Sequence, residues 1–241
     1  MALDEGTEKQ LARVRAEIEE ALGQALVCLA LYGSAAGDDW VAGRSDLNLA
    51  IVVPRVSVQV LETLAPLVAR WRRRGFALPL VLDPEYLERA RDAFPMELED
   101  IRREHRVLAG RDVFAAVRTD PAAMRRECER EGRGKLLRLR ALFLETAGAP
   151  RALEGVLVGS LKSFLTLLRH LLGLRGESPG HGYGEVLRAG EALVGPLPVM
   201  RRLLAHRSGL AKLSRRALRD EFGAYLEEVE RIVAALDAAD A

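Results

Sequence analysis

The sequence predicts two domains of different class, a mixed α/β sheet domain over residues 1–118 and an all-helical bundle over residues 119–241. Three observations carry this division. The apolar runs with strand length and composition, residues 25–31, 49–53 and 76–82, all fall in the first half. Asp120-Pro121 then sets an N-cap aspartate before a proline at the first helical position, a strong helix start. Beyond it come only long apolar-striped segments separated by glycine and proline breaks.

Each element has its own signal. Thr7, Glu8, Lys9 and Gln10 have capping-box spacing, and Leu11, Val14, Ile18 and Leu22 repeat at helical intervals before Gly23 stops the helix. One apolar stripe means one buried face, packed on the sheet. Residues 25–31 form the first strand and run into Tyr32-Gly33-Ser34; residues 49–53 form the second. Ser57 caps a helix whose inward face is Val60, Leu61, Leu64, Leu67, Val68 and Trp71, ending at Gly75. The third strand, residues 76–82, contains Pro79, which cannot donate to a ladder and predicts an edge position or an irregularity. Asp83-Pro84 opens a short helix to about Ala93; residues 94–104 read as helical or irregular, and residues 105–108 as a short last strand. The bundle helices are predicted at 121–147, 151–173, 183–194, 198–206 and 214–238.

Bulk properties exclude several classes. A formal charge of +1 over 241 residues leaves no whole-molecule field to draw the chain to nucleic acid or membrane. Cys28 and Cys128 are the only cysteines and have no metal-ligand spacing, which fits a reduced, cytoplasmic chain. The first residues are acidic and polar, unlike a signal peptide. The longest apolar stretch, residues 155–174, carries Lys162, Arg169 and His170 and reads as a buried bundle helix.

The chemistry concentrates between residues 29 and 53. A Gly-Ser corner at a strand end, Gly33-Ser34, can present amides and a hydroxyl to a phosphate because glycine permits close approach. Asp46 and Asn48 are two apart at the start of the next strand, so they leave the same face. Phosphate donors beside oxygen ligands are the layout of a metal–nucleotide site. Gly33-Ser34, a loop of about a dozen residues with Gly43 and Arg44, then Ser45-Asp46 entering a strand, resembles the nucleotidyltransferases of the polymerase-β-like superfamily. The likeness covers the first half of the chain, and the order of sheet domain then bundle resembles the superfamily's two-domain members. One position departs from it: Asn48 stands where the family's second metal-binding aspartate belongs.

The resemblance implies a nucleotidyltransferase-like mixed sheet followed by a helical bundle, with Mg2+ as cofactor and an NTP as substrate. It implies Asp46 and Asn48 as metal ligands and Gly33, Ser34, Arg44 and Ser45 as nucleotide contacts. A third carboxylate is expected on a later strand. Asp83 is nearest in sequence, though Asp83-Pro84-Glu85 is also an unforced N-cap, and Glu97 and Asp100 follow. Asn48 offers oxygen without charge, so a second metal should bind weakly. The pairs Arg201-x4-His206 and Arg175-x5-His181 match the loose ribonuclease spacing of HEPN domains, but so arginine-rich a chain produces such pairs by chance. The basic cluster from Arg201 to Arg219 reads mostly as a solvated face. Two functions stay open. One is transfer of a nucleoside monophosphate from an NTP to a hydroxyl acceptor; the other is a degenerate module for nucleotide sensing or protein interaction. Neither membrane nor nucleic acid is an expected partner, and a homodimer is left open.

Overall fold

The computed structural model describes residues 3–37, 39–40, 45–178, 180, 182–214 and 217–239. Gly43 and Arg44 therefore lie outside the described residues, as do Asp38, His181, Arg215 and Arg216. The chain divides into two compact units, Met1–Asp120 and Pro121–Ala241.

The first unit is a three-layer α/β structure. Strands β1 (Cys28–Tyr32), β2 (Asn48–Val52), β3 (Leu80–Leu82) and β4 (His105–Gly110) form one mixed sheet in the order β3-β2-β1-β4. β1 pairs antiparallel with β2 and β4, whereas β2 and β3 run parallel. Helices α1 (Glu5–Leu22) and α2 (Val58–Arg72) cover one face. There Leu11, Val14, Ile18, Leu64 and Trp71 pack on Leu29, Leu31, Leu49 and Ile51. Helices α3 (Pro84–Arg89) and α4 (Pro95–Arg103) cover the other, where Leu87, Leu98 and Ile101 meet Cys28, Ala30, Ala50 and Val52. Each aliphatic side chain so buried contributes about 1.5–3 kcal/mol relative to exposure.

Local chemistry explains the differences from the expected elements. The cap of α1 is Asp4: its carboxylate accepts from the Thr7 amide at 2.9 Å and the Thr7 hydroxyl at 2.9 Å. An aspartate also answers the positive end of the helix dipole, so the helix starts earlier than Thr7. Ser57 does cap α2, with its hydroxyl 3.4 Å from the Val60 amide. Leu61 is not on the inward face; it is 45% exposed. β3 is shorter than residues 76–82, because Pro79 interrupts it. Upstream of Pro79 only the bridge Leu47↔Phe76 survives, and β3 is indeed an edge strand. Residues 94–104 resolve into α4, and β4 adds on the far side of β1.

The second unit, among the described residues, is purely helical: α5 (Pro121–Thr146), α6 (Pro150–Leu174), α7 (Tyr183–Val194), α8 (Pro198–Arg207) and α9 (Leu218–Asp237). Among the described residues α6 alone has the length and apolarity to cross a membrane. Here it is the central helix of the unit, with Leu153, Leu157, Leu161, Phe164, Leu165 and Leu168 buried. Helix α9 supplies Glu228, a buried carboxylate that accepts the Val199 amide at 2.7 Å and the Met200 amide at 2.9 Å. It thereby caps the N-terminus of α8 from a neighbouring helix.

Candidate functional site

The β1–β2 pairing builds the site. Tyr32 and Asn48 are partners in the register, so the corner after β1 and the start of β2 lie side by side. At that corner residues Gly33–Ala35 form a single 3-10 turn. Gly33 has φ 71°, a left-handed conformation that only glycine adopts without strain. A side chain there would also meet Asn48, because a Cβ on Gly33 would lie 3.3 Å from the Asn48 amide nitrogen. Sequence alone suggests an open corner; the structure shows one whose tightness comes from Asn48 itself.

The donors at the corner are more specific than the motif implies. The Gly33 amide donates to the Glu104 carbonyl at 2.9 Å, and the Ala36 and Gly37 amides return to the Gly33 carbonyl. What the turn leaves for an anion are its first amides, at Ser34 and Ala35, together with the Ser34 hydroxyl.

Asp46 is exposed and makes no hydrogen bond or ion pair with any described residue. It satisfies no turn amide, the ordinary duty of an aspartate in that position. Asn48 is half-buried and shares the sheet face of Ala50 and Val52, opposite to Leu49 and Ile51. Neither side chain is buried against α1. Ser45 is half-buried beside them.

The structure does not bring Asp83 to these residues. Its carboxylate accepts the Tyr86 amide at 2.8 Å and the Val56 amide at 3.2 Å, so it caps α3 and ties down the chain after β2. Those two amides hold its pKa below the usual carboxylate value. Register fixes the distance: Leu82 pairs with Val52, four residues along β2 from Asn48, or about 13 Å at the usual rise per residue. The cause is direction. β2 and β3 are parallel, so the end of β3 lies beside the end of β2, whereas Asn48 begins it. Across from Asn48, between the pairings of Phe76 and Leu80, come Ala77, Leu78 and Pro79, which hold no carboxylate.

Two residues with no role assigned from sequence border the site. Tyr32 projects onto Asn48's face, and burial, then the charge of Glu97 on α4, pushes its phenol pKa up. Glu97 is thus the α4 carboxylate whose field reaches that face. Glu104, buried at the end of α4, contacts the corner through both backbone and side chain. The only sequence signal for Glu104 was the run of acidic residues before β4, which reads equally well as a solvated face.

Among the described residues no three His, Cys, Asp or Glu side chains gather as a metal cluster. The Asp46 carboxylate and the Asn48 amide oxygen fit one hard cation completed by phosphate oxygens and water. They do not fit a two-ion centre, which needs further negative charge.

The basic residues of the second unit are largely committed. Arg201 pairs with Glu191, Arg202 pairs with Glu221 at 2.7 Å, and His206 faces Glu154 at 3.4 Å. The HEPN-like spacing at Arg201 thus has ordinary ion-pair chemistry around it.

No protein-family model matches the chain, and no curated protein matches it either. Among solved structures it is similar to spectinomycin adenyltransferase AAD(9) from Enterococcus faecialis, crystallised with ATP and spectinomycin. The likeness covers 93% of this chain and 98% of that one, with a TM-score of 0.57 and 16% sequence identity. At that identity the likeness shows the fold. The chain has a nucleotidyltransferase-like α+β sheet followed by a helical region.

Proposed function

We propose that the chain binds a nucleoside triphosphate, ATP first, at the corner of residues 33–35 and transfers its nucleoside monophosphate to a hydroxyl acceptor. In that reaction the acceptor oxygen bonds to the α-phosphorus, the bond to the β-phosphate breaks, and pyrophosphate leaves. The hydroxyl proton passes to a carboxylate or to water. One observation carries the reading. A glycine-dependent turn with open first amides lies against Asn48, two residues from an unpartnered Asp46. Phosphate oxygens would lie on the Ser34 and Ala35 amides, with Arg44 and Ser45 as further contacts. Asp46 and Asn48 would hold a single magnesium ion, whose chemistry is to neutralise charge on the phosphates. Support also comes from the fold shared with an adenyltransferase that holds ATP and spectinomycin.

A second reading has its own observation. Asn48 is neutral and the facing residues Ala77, Leu78 and Pro79 are uncharged. A site so short of negative charge fits a module that binds nucleotide without turning it over.

The deciding experiment is titration of ATP, GTP, CTP and UTP with and without magnesium, followed by a transfer assay with each nucleotide that binds. Spectinomycin, the acceptor in the similar structure, is the first to try. Nucleotide-dependent adenylylation or its equivalent supports transfer. Magnesium-dependent binding without transfer to any of a panel of hydroxyl compounds supports the second reading. No binding overturns both.

A further inference from the structure

We infer that Glu104 is a positioning residue for the phosphate corner, tied to Gly33 by its backbone and packed against Gly37 by its side chain, an inference that rests on the nucleotide reading of residues 33–35. The turn closes on one atom, the Gly33 carbonyl, which accepts from the Ala36 amide at 2.8 Å and the Gly37 amide at 3.2 Å. Gly33's own amide points the other way and donates to the Glu104 carbonyl at 2.9 Å. Glu104 therefore pins the first residue of the turn through its backbone. Its side chain packs against the chain just beyond the turn, at Gly37. A Cβ built on Gly37 would lie 2.8 Å from Glu104 Oε2 and 3.1 Å from its Cδ. Real side chains do not approach so closely. Glu104 is 6% exposed, so its carboxylate has little room to swing aside.

The placement has a topological cause. Glu104 ends α4 and immediately precedes His105, whose register partner on β1 is Tyr32, the residue before Gly33. The same strand pairing that aligns β4 on β1 thus delivers Glu104 beneath the corner. Between the bonded Gly33 and the crowded Gly37 lie the Ser34 and Ala35 amides. Hydrogen bonds from amides to phosphate oxygens weaken steeply with misalignment, so a bond at one end and close packing at the other limit how far the donors can shift. Gly37 is then a glycine because Glu104 fills the space its side chain would need.

The test is a double-mutant cycle on the full chain with Gly37→Ala, Glu104→Ala and both together, with Glu104→Gln as the conservative variant. ATP with magnesium is titrated by calorimetry, and the apo melting temperature of each protein is recorded. Gly37→Ala should weaken ATP binding about tenfold, because the added methyl displaces the turn. Glu104→Ala should weaken it severalfold. The double variant should match Glu104→Ala alone, since the clash is gone, and Glu104→Gln should bind more tightly than Glu104→Ala. Two results overturn the inference while leaving the nucleotide reading intact. One is single-variant effects that simply multiply. The other is a Gly37→Ala protein that melts lower yet binds ATP as the wild type does, which makes Glu104 a packing residue only. A wild type that binds no ATP overturns the nucleotide reading, and the positioning role with it.

Discussion

The structure puts the Asn48 amide against Gly33, and in the proposed reading that amide stands where a carboxylate would add a second charge toward a metal. Asn48→Asp should therefore act on two things together. Magnesium binding should tighten, by about 1–3 kcal/mol for a charge-assisted ligand, while apo stability falls because the new charge lies near Asp46. Melting curves across a magnesium titration separate this from a decayed site, in which magnesium would restore nothing. Gly33→Ala carries a backbone cost of about 1–2 kcal/mol from its left-handed φ, besides any effect on nucleotide. Asp83→Ala is the contrasting case. It removes the α3 cap and should cost about 1 kcal/mol in chemical denaturation, with ATP affinity unchanged, because Asp83 belongs to the opposite end of the strands. Loss of ATP binding in that variant would mean the register argument is wrong. At this scale the candidate string was legible as a string: Gly33, Ser34 and Asp46 lie within a short window, and the β1–β2 register sets the corner beside Asn48. Glu104 was not, because only long-range strand pairing brings residue 104 to residue 33. The misplacement of Asp83 was avoidable in principle. A strand–helix–strand crossover makes β2 and β3 parallel, and parallel strands end together.

Among the elements, helices were read closely and strand ends were not. Capping residues and 3.6-residue periodicity lie in adjacent sequence, so α5, α6 and α7 emerge within a residue of expectation. β3 shrank because ladder formation depends on a partner strand and Pro79 removes a donor. Leu61 was placed inward by periodicity alone, but the stripe that packs on the sheet runs through Leu64 and Trp71. The join between α8 and α9 was invisible to pattern reading, since a glutamate in an apolar stripe carries no label for the helix it caps. Burial raises the Glu228 pKa above the usual carboxylate value, outweighing the Val199 and Met200 amides that lower it. A carboxyl raised on folding adds stability that is fully present below the unfolded pKa and lost as pH rises through the folded one. The advantage of wild type over Glu228→Gln should therefore shrink from about pH 4 toward neutrality in paired melts. A difference that does not change with pH would contradict the raised pKa. Glu228→Ala should cost about 1–3 kcal/mol at any pH, because two buried amides lose their acceptor.

Over the whole chain, two units of different class each bury their own core, and the fold they make is shared with an ATP-holding adenyltransferase across 93% of this chain. That much was readable from the confinement of strand-like runs to the first half. The acceptor was not readable, because acceptor recognition depends on side chains that no short motif brings together. What is specific to this chain, in the reading proposed above, is a glycine-dependent corner at residues 33–35 for phosphate beside Asp46 and Asn48, one carboxylate and one amide, for a metal. The most direct test is calorimetric titration of ATP into the full chain with and without magnesium, repeated for Asp46→Asn. The account predicts saturable ATP binding to the wild type that magnesium tightens about tenfold or more, and an Asp46→Asn protein that binds ATP but has lost the magnesium effect. Equal magnesium enhancement in both proteins would contradict it, as would a wild type that binds no ATP at all.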